Sequence, residues 1–106
     1  MKKLLLLTLA FILNGQLYAG IVSLENATSS DVVLVRLNEL MKEKQTVLRP
    51  GDKTDNIDCN NIWNWSGGTN IAKCSVWKDA KTMVIIDASM NGNIKIKEIN
   101  GQLVAE

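Results

Sequence analysis

The chain has 106 residues, with 12 Lys and Arg, 11 Asp and Glu, and no His. This near-neutral charge argues against a nucleic-acid-binding protein, which would carry a strongly basic surface. The lack of His excludes the catalytic triads that need imidazole and removes the commonest zinc ligand. The sequence therefore indicates no catalytic residue, no metal site and no cofactor.

Residues 1–19 have the three parts of a secretory signal peptide. Lys2 and Lys3 give a positively charged start, residues 4–13 form an apolar run, and Ala19 is a small residue at the expected cleavage point. The apolar run is half as long as the ~20 residues that a membrane-spanning helix needs. We expect the rest of the chain to be periplasmic or secreted, without attachment to a membrane.

Residues 20–106 are then a single small domain with a formal net charge of −1. Cys59 and Cys74 are its only cysteines, and such a pair in an exported chain predicts a disulfide. A disulfide closing a loop of this size is worth about 3 kcal/mol in the chain-entropy model. That is a large share of the ~5–10 kcal/mol by which a domain of this size is stable.

Short runs of β-branched residues alternate with turn residues along the domain. This pattern predicts an all-β fold, an antiparallel sandwich of seven to eight short strands that is immunoglobulin-like in general form. The opening strand, a Ser/Thr turn, a second strand and a Leu-x-Pro-Gly turn are too general to indicate one family. The predicted strands are residues 21–26, 32–38, 45–49, 57–65, 71–78, 82–89, 94–99 and 102–105.

The segment from Val32 to Lys44 also fits a helix. Its apolar residues recur at helical spacing, and Ser30 could cap the helix. The β-branched opening favours a strand that ends at Asn38, followed by a helical turn over residues 39–44. The apolar residues that fit the helical stripe are Val33, Leu34, Leu37, Leu40 and Met41.

Near the C-terminus, Asn91-Gly92-Asn93 predicts a three-residue hairpin loop. A two-residue loop would pair Asp87 with Ile96, whereas the three-residue loop pairs Asp87 with Lys97. A slip of one residue turns every side chain to the other face, so the second register is favoured. It places five residues in the core: Val84, Ile86, Ala88, Ile94 and Ile96.

The disulfide suggests a register for the middle of the chain. If Cys59 and Cys74 lie directly opposite each other, Trp65 lies opposite Gly68. A turn centred on Gly68-Thr69 would separate the two Cα atoms beyond the ~7 Å that a disulfide tolerates, unless a bulge near Asn60-Asn61 brought them back. The direct pairing is favoured.

An acidic repeat follows the Pro50-Gly51 turn. Asp52, Asp55 and Asp58 recur at intervals of three residues. Oxygen ligands of this kind could bind calcium, but the loop lacks the alternating acidic pattern of calcium loops. We interpret it as a solvated connection.

The tryptophans flank the two cysteines. Strand alternation places Trp63 and Trp65 on the face of Cys59, and Trp77 on the face opposite Cys74. All three rings could simply fill the core, but indole rings beside short amides also suit a protein contact or a carbohydrate site. The candidate binding residues are Trp77, Trp63, Trp65, Asn64 and Asn70.

The sequence thus favours an exported, non-enzymatic binding module that contacts a protein or a glycan through its tryptophan-bearing surface. Two alternatives stay open. A structural or assembly subunit would act by β-strand pairing at a sheet edge. A small hydrolase would need two acids facing each other across a pocket. No oligomeric state is indicated.

Overall fold

A computed structural model describes residues 20–38, 40–64 and 67–106. The predicted signal peptide and Trp65 lie outside the described residues. The part that is described contains no helix long and apolar enough to cross a membrane. Its strands are β1 (Ile21–Asn26), β2 (Val32–Leu37), β3 (Glu43–Leu48), β4 (Ile57–Asp58), β5 (Ile62–Asn64), β6 (Thr69–Ile71), β7 (Cys74–Asp79), β8 (Thr82–Ile86), β9 (Gly92–Ile99) and β10 (Gln102–Ala105).

The all-β prediction is confirmed for the described residues, and β1 and β10 have the predicted bounds. Two predicted strands are each divided, one into β4 and β5 and the other into β6 and β7. The helical turn expected after Asn38 is wrong. The Asn38 Oδ1 atom accepts the backbone N–H groups of Leu40 and Lys42 at 2.9 and 3.0 Å, and β3 begins at Glu43.

Two four-stranded sheets pack around one core. The β1 sheet has the strand order β10-β9-β1-β4, and the β2 sheet has the order β3-β2-β7-β8. Strands β5 and β6, which lie between β4 and β7 in the chain, form a separate two-stranded hairpin. The core residues, drawn from both sheets, are Val22, Leu24, Val32, Leu34, Leu48, Cys59, Cys74, Val76, Ile86, Ile94, Ile96 and Leu103.

The prediction of purely antiparallel sheets is wrong, because β1 and β9 pair in parallel. The predicted hairpin over residues 82–99 is wrong for the same reason. Strand β8 pairs with β7, whereas β9 lies in the other sheet between β1 and β10. A turn in which the Met90 N–H donates to the Asp87 carbonyl carries the chain between the sheets. In this position β9 forms hydrogen-bonded ladders on both of its sides.

Most of the core residues predicted for this region are confirmed, although the predicted strand pairing is wrong. Ile86, Ile94 and Ile96 are buried, and Val84 packs against the core while partly buried. Ala88 lies in the turn after β8 and is half-buried. Alternation along each strand is local and survives an error in the partner strand.

The disulfide joins the two sheets. Cys59 follows β4 of the β1 sheet, and Cys74 begins β7 of the β2 sheet. Their Cα atoms are 5.4 Å apart, and both residues are fully buried. Strands β5 and β6 pair Trp63 with Asn70, which is the register predicted from a direct pairing of the cysteines.

The opposite end of the two sheets is fixed by one buried side chain. The Asn26 Nδ2 atom donates to the carbonyls of Ser30 and Leu48, each at 2.8 Å. Its Oδ1 atom accepts the N–H and the hydroxyl of Thr28 at 2.9 and 2.7 Å. These bonds use the full capacity of the amide and connect β1, the following turn and the end of β3.

Candidate functional site

Much of the outer face of the β2 sheet is apolar. The run Val32–Val35 in β2 is apolar at every position, so each face of this strand receives aliphatic side chains. Val32 and Leu34 enter the core, whereas Val33 and Val35 point away from it and are half-buried. An antiparallel sheet with one face in solvent normally carries polar residues there.

The strand registers align these outer side chains across all four strands. One row across β3, β2, β7 and β8 is apolar throughout, and the next row is mixed. Val47 is 57% exposed and Ile85 is 50% exposed. The first row is Val47, Val33, Trp77 and Met83, and the second is Gln45, Val35, Ser75 and Ile85.

Trp77 lies near the middle of this face. Alternation predicted that it would point away from the face of Cys74, and the structure confirms this, since Cys74 and Val76 are buried while Trp77 is half-buried. Its indole Nε1–H donates to the Ser75 hydroxyl at 2.8 Å. A groove of about 440 Å³ runs past the ring and along Val33 and Val35.

The other candidate residues lie elsewhere. Trp63 is opposite Asn70 on the β5–β6 hairpin and is 45% exposed, so its ring does not simply fill the core. Asn64 pairs with Thr69 along the hairpin backbone, and its side chain, like Trp65, is outside the described structure. Trp63 lines a second groove of about 560 Å³, which shares Lys73 with the groove beside Trp77.

An ion pair lies in the Trp63 groove close to the disulfide. The Asp58 Oδ2 atom is 3.5 Å from Lys73 Nζ, and its Oδ1 atom accepts the Asn60 N–H at 2.9 Å. The hydrogen bond from Asn60 and the charge of Lys73 hold the pKa of Asp58 below its usual value, although partial burial opposes this shift. Asp58 is therefore ionised and occupied by its own neighbours.

The acidic repeat has separate local roles. The Asp52 Oδ2 atom accepts the Arg49 N–H at 2.9 Å and so closes the Pro50-Gly51 turn. Asp58 pairs with Lys73 instead. Within the described ranges, no three His, Cys, Asp or Glu side chains are grouped closely enough to hold a metal ion.

Sequence reasoning missed a cationic cluster at the disulfide end of the β2 sheet. Arg36 continues the core-facing series of Val32 and Leu34, and lies directly opposite Lys44 on β3. Both line a groove of about 620 Å³. The alternation Val32, Leu34, Arg36 was the available signal, but the apolar run around it also fits a helix and so hid the face of Arg36.

No protein-family model, curated protein or solved structure matches this chain. Two surfaces of the described structure are candidates for binding a partner or a ligand. One is the apolar outer face of the β2 sheet around Trp77, and the other is the pair of grooves beside the disulfide.

Proposed function

We propose that the chain is an exported, non-enzymatic binding module that contacts a protein partner through the outer face of the β2 sheet. The observation that carries the proposal is the apolar row across four strands, with Trp77 at its centre. Contiguous apolar surface on a soluble protein often marks an interaction site. Tryptophan is also among the residues that dominate binding energy at interfaces.

A protein fits this face better than a glycan. Trp77 has Val33 and Met83 as its cross-strand neighbours, and its N–H is already used by Ser75. The surface around the ring is therefore broad and aliphatic, with few free hydrogen-bonding groups for sugar hydroxyls. Charged residues of both signs border the groove, as in the polar rim of a protein interface, namely Glu43, Lys73, Lys78 and Asp79.

Two features support export and the finer architecture. Residues 1–19 carry the pattern of a signal peptide, and the Cys59–Cys74 disulfide is of a kind that persists in oxidising compartments. We place the domain in the periplasm or outside the cell on these grounds. Two packed four-stranded sheets joined by a buried disulfide also support an immunoglobulin-like form.

An assembly subunit that acts by strand pairing is the second candidate. In the described structure β3 pairs with β2 on one side only, so its other edge is available to a strand from another chain. The two candidates differ in what a partner would cover. Edge pairing protects the β3 amides from hydrogen exchange, whereas face binding covers the side chains of Trp77 and Ile85.

Photo-crosslinking tests the face. Ile85 lies on the outer face of the β2 sheet, and Ile99 lies on β9 of the other sheet, and they are 50% and 46% exposed. A photoreactive residue placed at either position in the full chain, expressed in its native host, gives a matched comparison. We expect a discrete adduct with another protein from position 85 and none from position 99.

Substitution gives the quantitative form of the test. With the crosslinked partner purified, Ile85→Asp should weaken its binding at least ~10-fold, about 1.4 kcal/mol, because a charge replaces an aliphatic contact. Ile99→Asp should leave the affinity unchanged. Equal adducts from both positions, or equal effects of both substitutions, would contradict the proposal that the outer face of the β2 sheet binds the partner.

A further inference from the structure

Two cations face each other at the disulfide end of the β2 sheet. Arg36 lies directly opposite Lys44 on β3 and directly opposite Cys74 on β7. Like charges in opposite positions of adjacent strands destabilise a sheet. In addition, the Arg36 Nε atom is buried and has no hydrogen-bond partner among the described residues. A buried donor without an acceptor costs stability. The rest of the Arg36 side chain lines a groove, where an anion could offset the charge.

No acid among the described residues forms an ion pair with these cations. The three ion pairs of the described residues are Lys73 with Asp58, Lys78 with Glu98, and Lys97 with Glu106. Glu43 precedes Lys44 but lies opposite Leu37, and so on the outer face of the sheet. Asp58 is held by Lys73 and by the Asn60 N–H.

The groove at this position is positively charged. Its wall includes Arg36 and Lys44, with Lys42 and Lys73 beside them, against the two acids Glu43 and Asp58. The groove has a volume of about 620 Å³, which is large enough for a small organic ligand. Guanidinium groups bind carboxylates and phosphates through directed hydrogen bonds.

A second groove continues from the first. The two share Leu40, Asp58 and Lys73 in their walls. The second adds a flat ring, Trp63, and the exposed amides of Asn60 and Asn61. An indole face packs against the C–H side of a sugar ring, and amides donate to and accept from its hydroxyls.

We propose that these joined grooves bind an anionic sugar, a sugar acid or a sugar phosphate. Its carboxylate or phosphate lies between Arg36 and Lys44, and its ring lies towards Trp63. A sugar fits better than a fatty acid because the second groove is lined mainly by polar groups. The site shares Leu37, Glu43 and Lys73 with the groove beside Trp77. Its proposed ligand contacts are Arg36, Lys44 and Trp63, none of which lines the groove beside Trp77, so substitutions at these residues and at Ile85 test the two proposals separately.

NMR titration of the full chain tests the site. The probes are a galacturonate trimer and glucose 6-phosphate, with a neutral glucose trimer and inorganic phosphate as comparisons. We expect the two anionic sugars to shift the Arg36 Nε–H and the Trp63 indole N–H resonances. We expect the neutral trimer to bind at least ~10-fold more weakly, because it leaves both cations without an anion.

Matched substitutions separate a site from general charge attraction. Arg36→Gln and Lys44→Gln should each weaken binding of the better anionic sugar at least ~10-fold. Lys81→Gln removes the same charge from the exposed turn between β7 and β8, at the other end of the sheet, and should have no effect. Circular dichroism confirms that each variant is folded, and Lys44, being exposed, tolerates substitution without refolding of the core.

Three results would overturn the proposal. One is no binding of either anionic sugar to the folded protein, and another is an equal loss of binding in Lys81→Gln. The third is binding of inorganic phosphate as tight as that of the sugars, which would leave Trp63 without a role. None of these results bears on the crosslinking at Ile85.

Discussion

The two ends of the paired sheets hold their polar groups in opposite ways. At one end, Asn26 is buried and all of its hydrogen-bonding capacity is met within the chain. Lys78 of the β2 sheet pairs with Glu98 of the β1 sheet at the same end, with Lys78 Nζ 3.1 Å from Glu98 Oε2. At the other end, Arg36 has a buried Nε–H that no described residue accepts.

The disulfide can offset the loss of stability that the unsatisfied Arg36 donor causes at the second end. A covalent link between the sheets contributes about 3 kcal/mol in the chain-entropy model. An unsatisfied buried donor costs about 1–3 kcal/mol. The end that carries Cys59 and Cys74 can therefore keep an uncompensated cation, whereas the end without a covalent link is held by a complete hydrogen-bond network. Groups left unsatisfied in a stable fold are candidates for binding a ligand.

Of the substitutions that test the difference between the two ends, removal of the disulfide should cause the largest loss of stability. The double variant Cys59→Ala, Cys74→Ala should lose about 3 kcal/mol in the free energy of unfolding. Urea denaturation measures that loss, and hydrogen exchange shows where it falls. We expect amides that exchange through global unfolding to lose protection throughout, and amides near Cys74 to lose more than the amide of Thr28 because they also lose the local covalent link. Uniform loss of protection at both ends would contradict the division into two independently held ends.

Asn26→Ala should cause the next largest loss of stability, about 2 kcal/mol, because it removes the side-chain donor to the buried Leu48 carbonyl and the acceptor of the buried Thr28 N–H. Asn38→Ala is the matched control. The Asn38 side-chain oxygen likewise accepts two hydrogen bonds, in this case both from backbone N–H groups, but Asn38 is exposed, so water can replace it. We expect the control to lose less than about 1 kcal/mol by urea denaturation. Equal losses would show that burial of Asn26 is not what matters.

Arg36→Met should stabilise the unliganded protein, by about 1 kcal/mol, because it replaces an unsatisfied donor with an apolar side chain of similar length. Arg49→Met, at an exposed position near the other end, should stay within about 0.5 kcal/mol of the parent. Thermal unfolding of the two variants measures both. A loss of stability in Arg36→Met would mean that Arg36 supports the fold and is not held for a ligand.

Sequence patterns predicted the structural features that depend on residues close together in the chain. The turn residues after Asn26 predicted where β1 ends. The expected burial of Ile94 and Ile96 and the outward direction of Trp77 followed from alternation along a strand. The two cysteines predicted the covalent link. These features need only a window of a few residues, in which successive side chains point to opposite faces.

Partner choice between distant strands was beyond the reach of such patterns. Asn91-Gly92 predicted a hairpin, yet β9 pairs in parallel with β1, about 70 residues earlier in the chain. Two ladders and a shared core decide that choice, and neither leaves a local signal. The cationic site was missed for a similar reason, since the opposition of Arg36 and Lys44 depends on the register of β2 with β3.

The smallest expected effect concerns Asp58 at the disulfide end. The hydrogen bond from the Asn60 N–H and the nearby Lys73 lower the pKa of Asp58 in the folded protein, so its contribution to stability is present above the unfolded pKa of about 3.9. That contribution is lost as the pH falls through the lowered folded pKa. Because the carboxyl group is half exposed, the loss should stay below about 1 kcal/mol.

Comparison of Asp58→Asn with the parent checks this expectation. The variant should be the less stable of the two at pH 7, and the difference should shrink steadily between pH 5 and pH 2 in urea denaturation. Asp55→Asn, at an exposed acid that forms no ion pair in the described structure, should track the parent across this range. A constant difference for Asp58→Asn would mean that its charge does not stabilise the disulfide end.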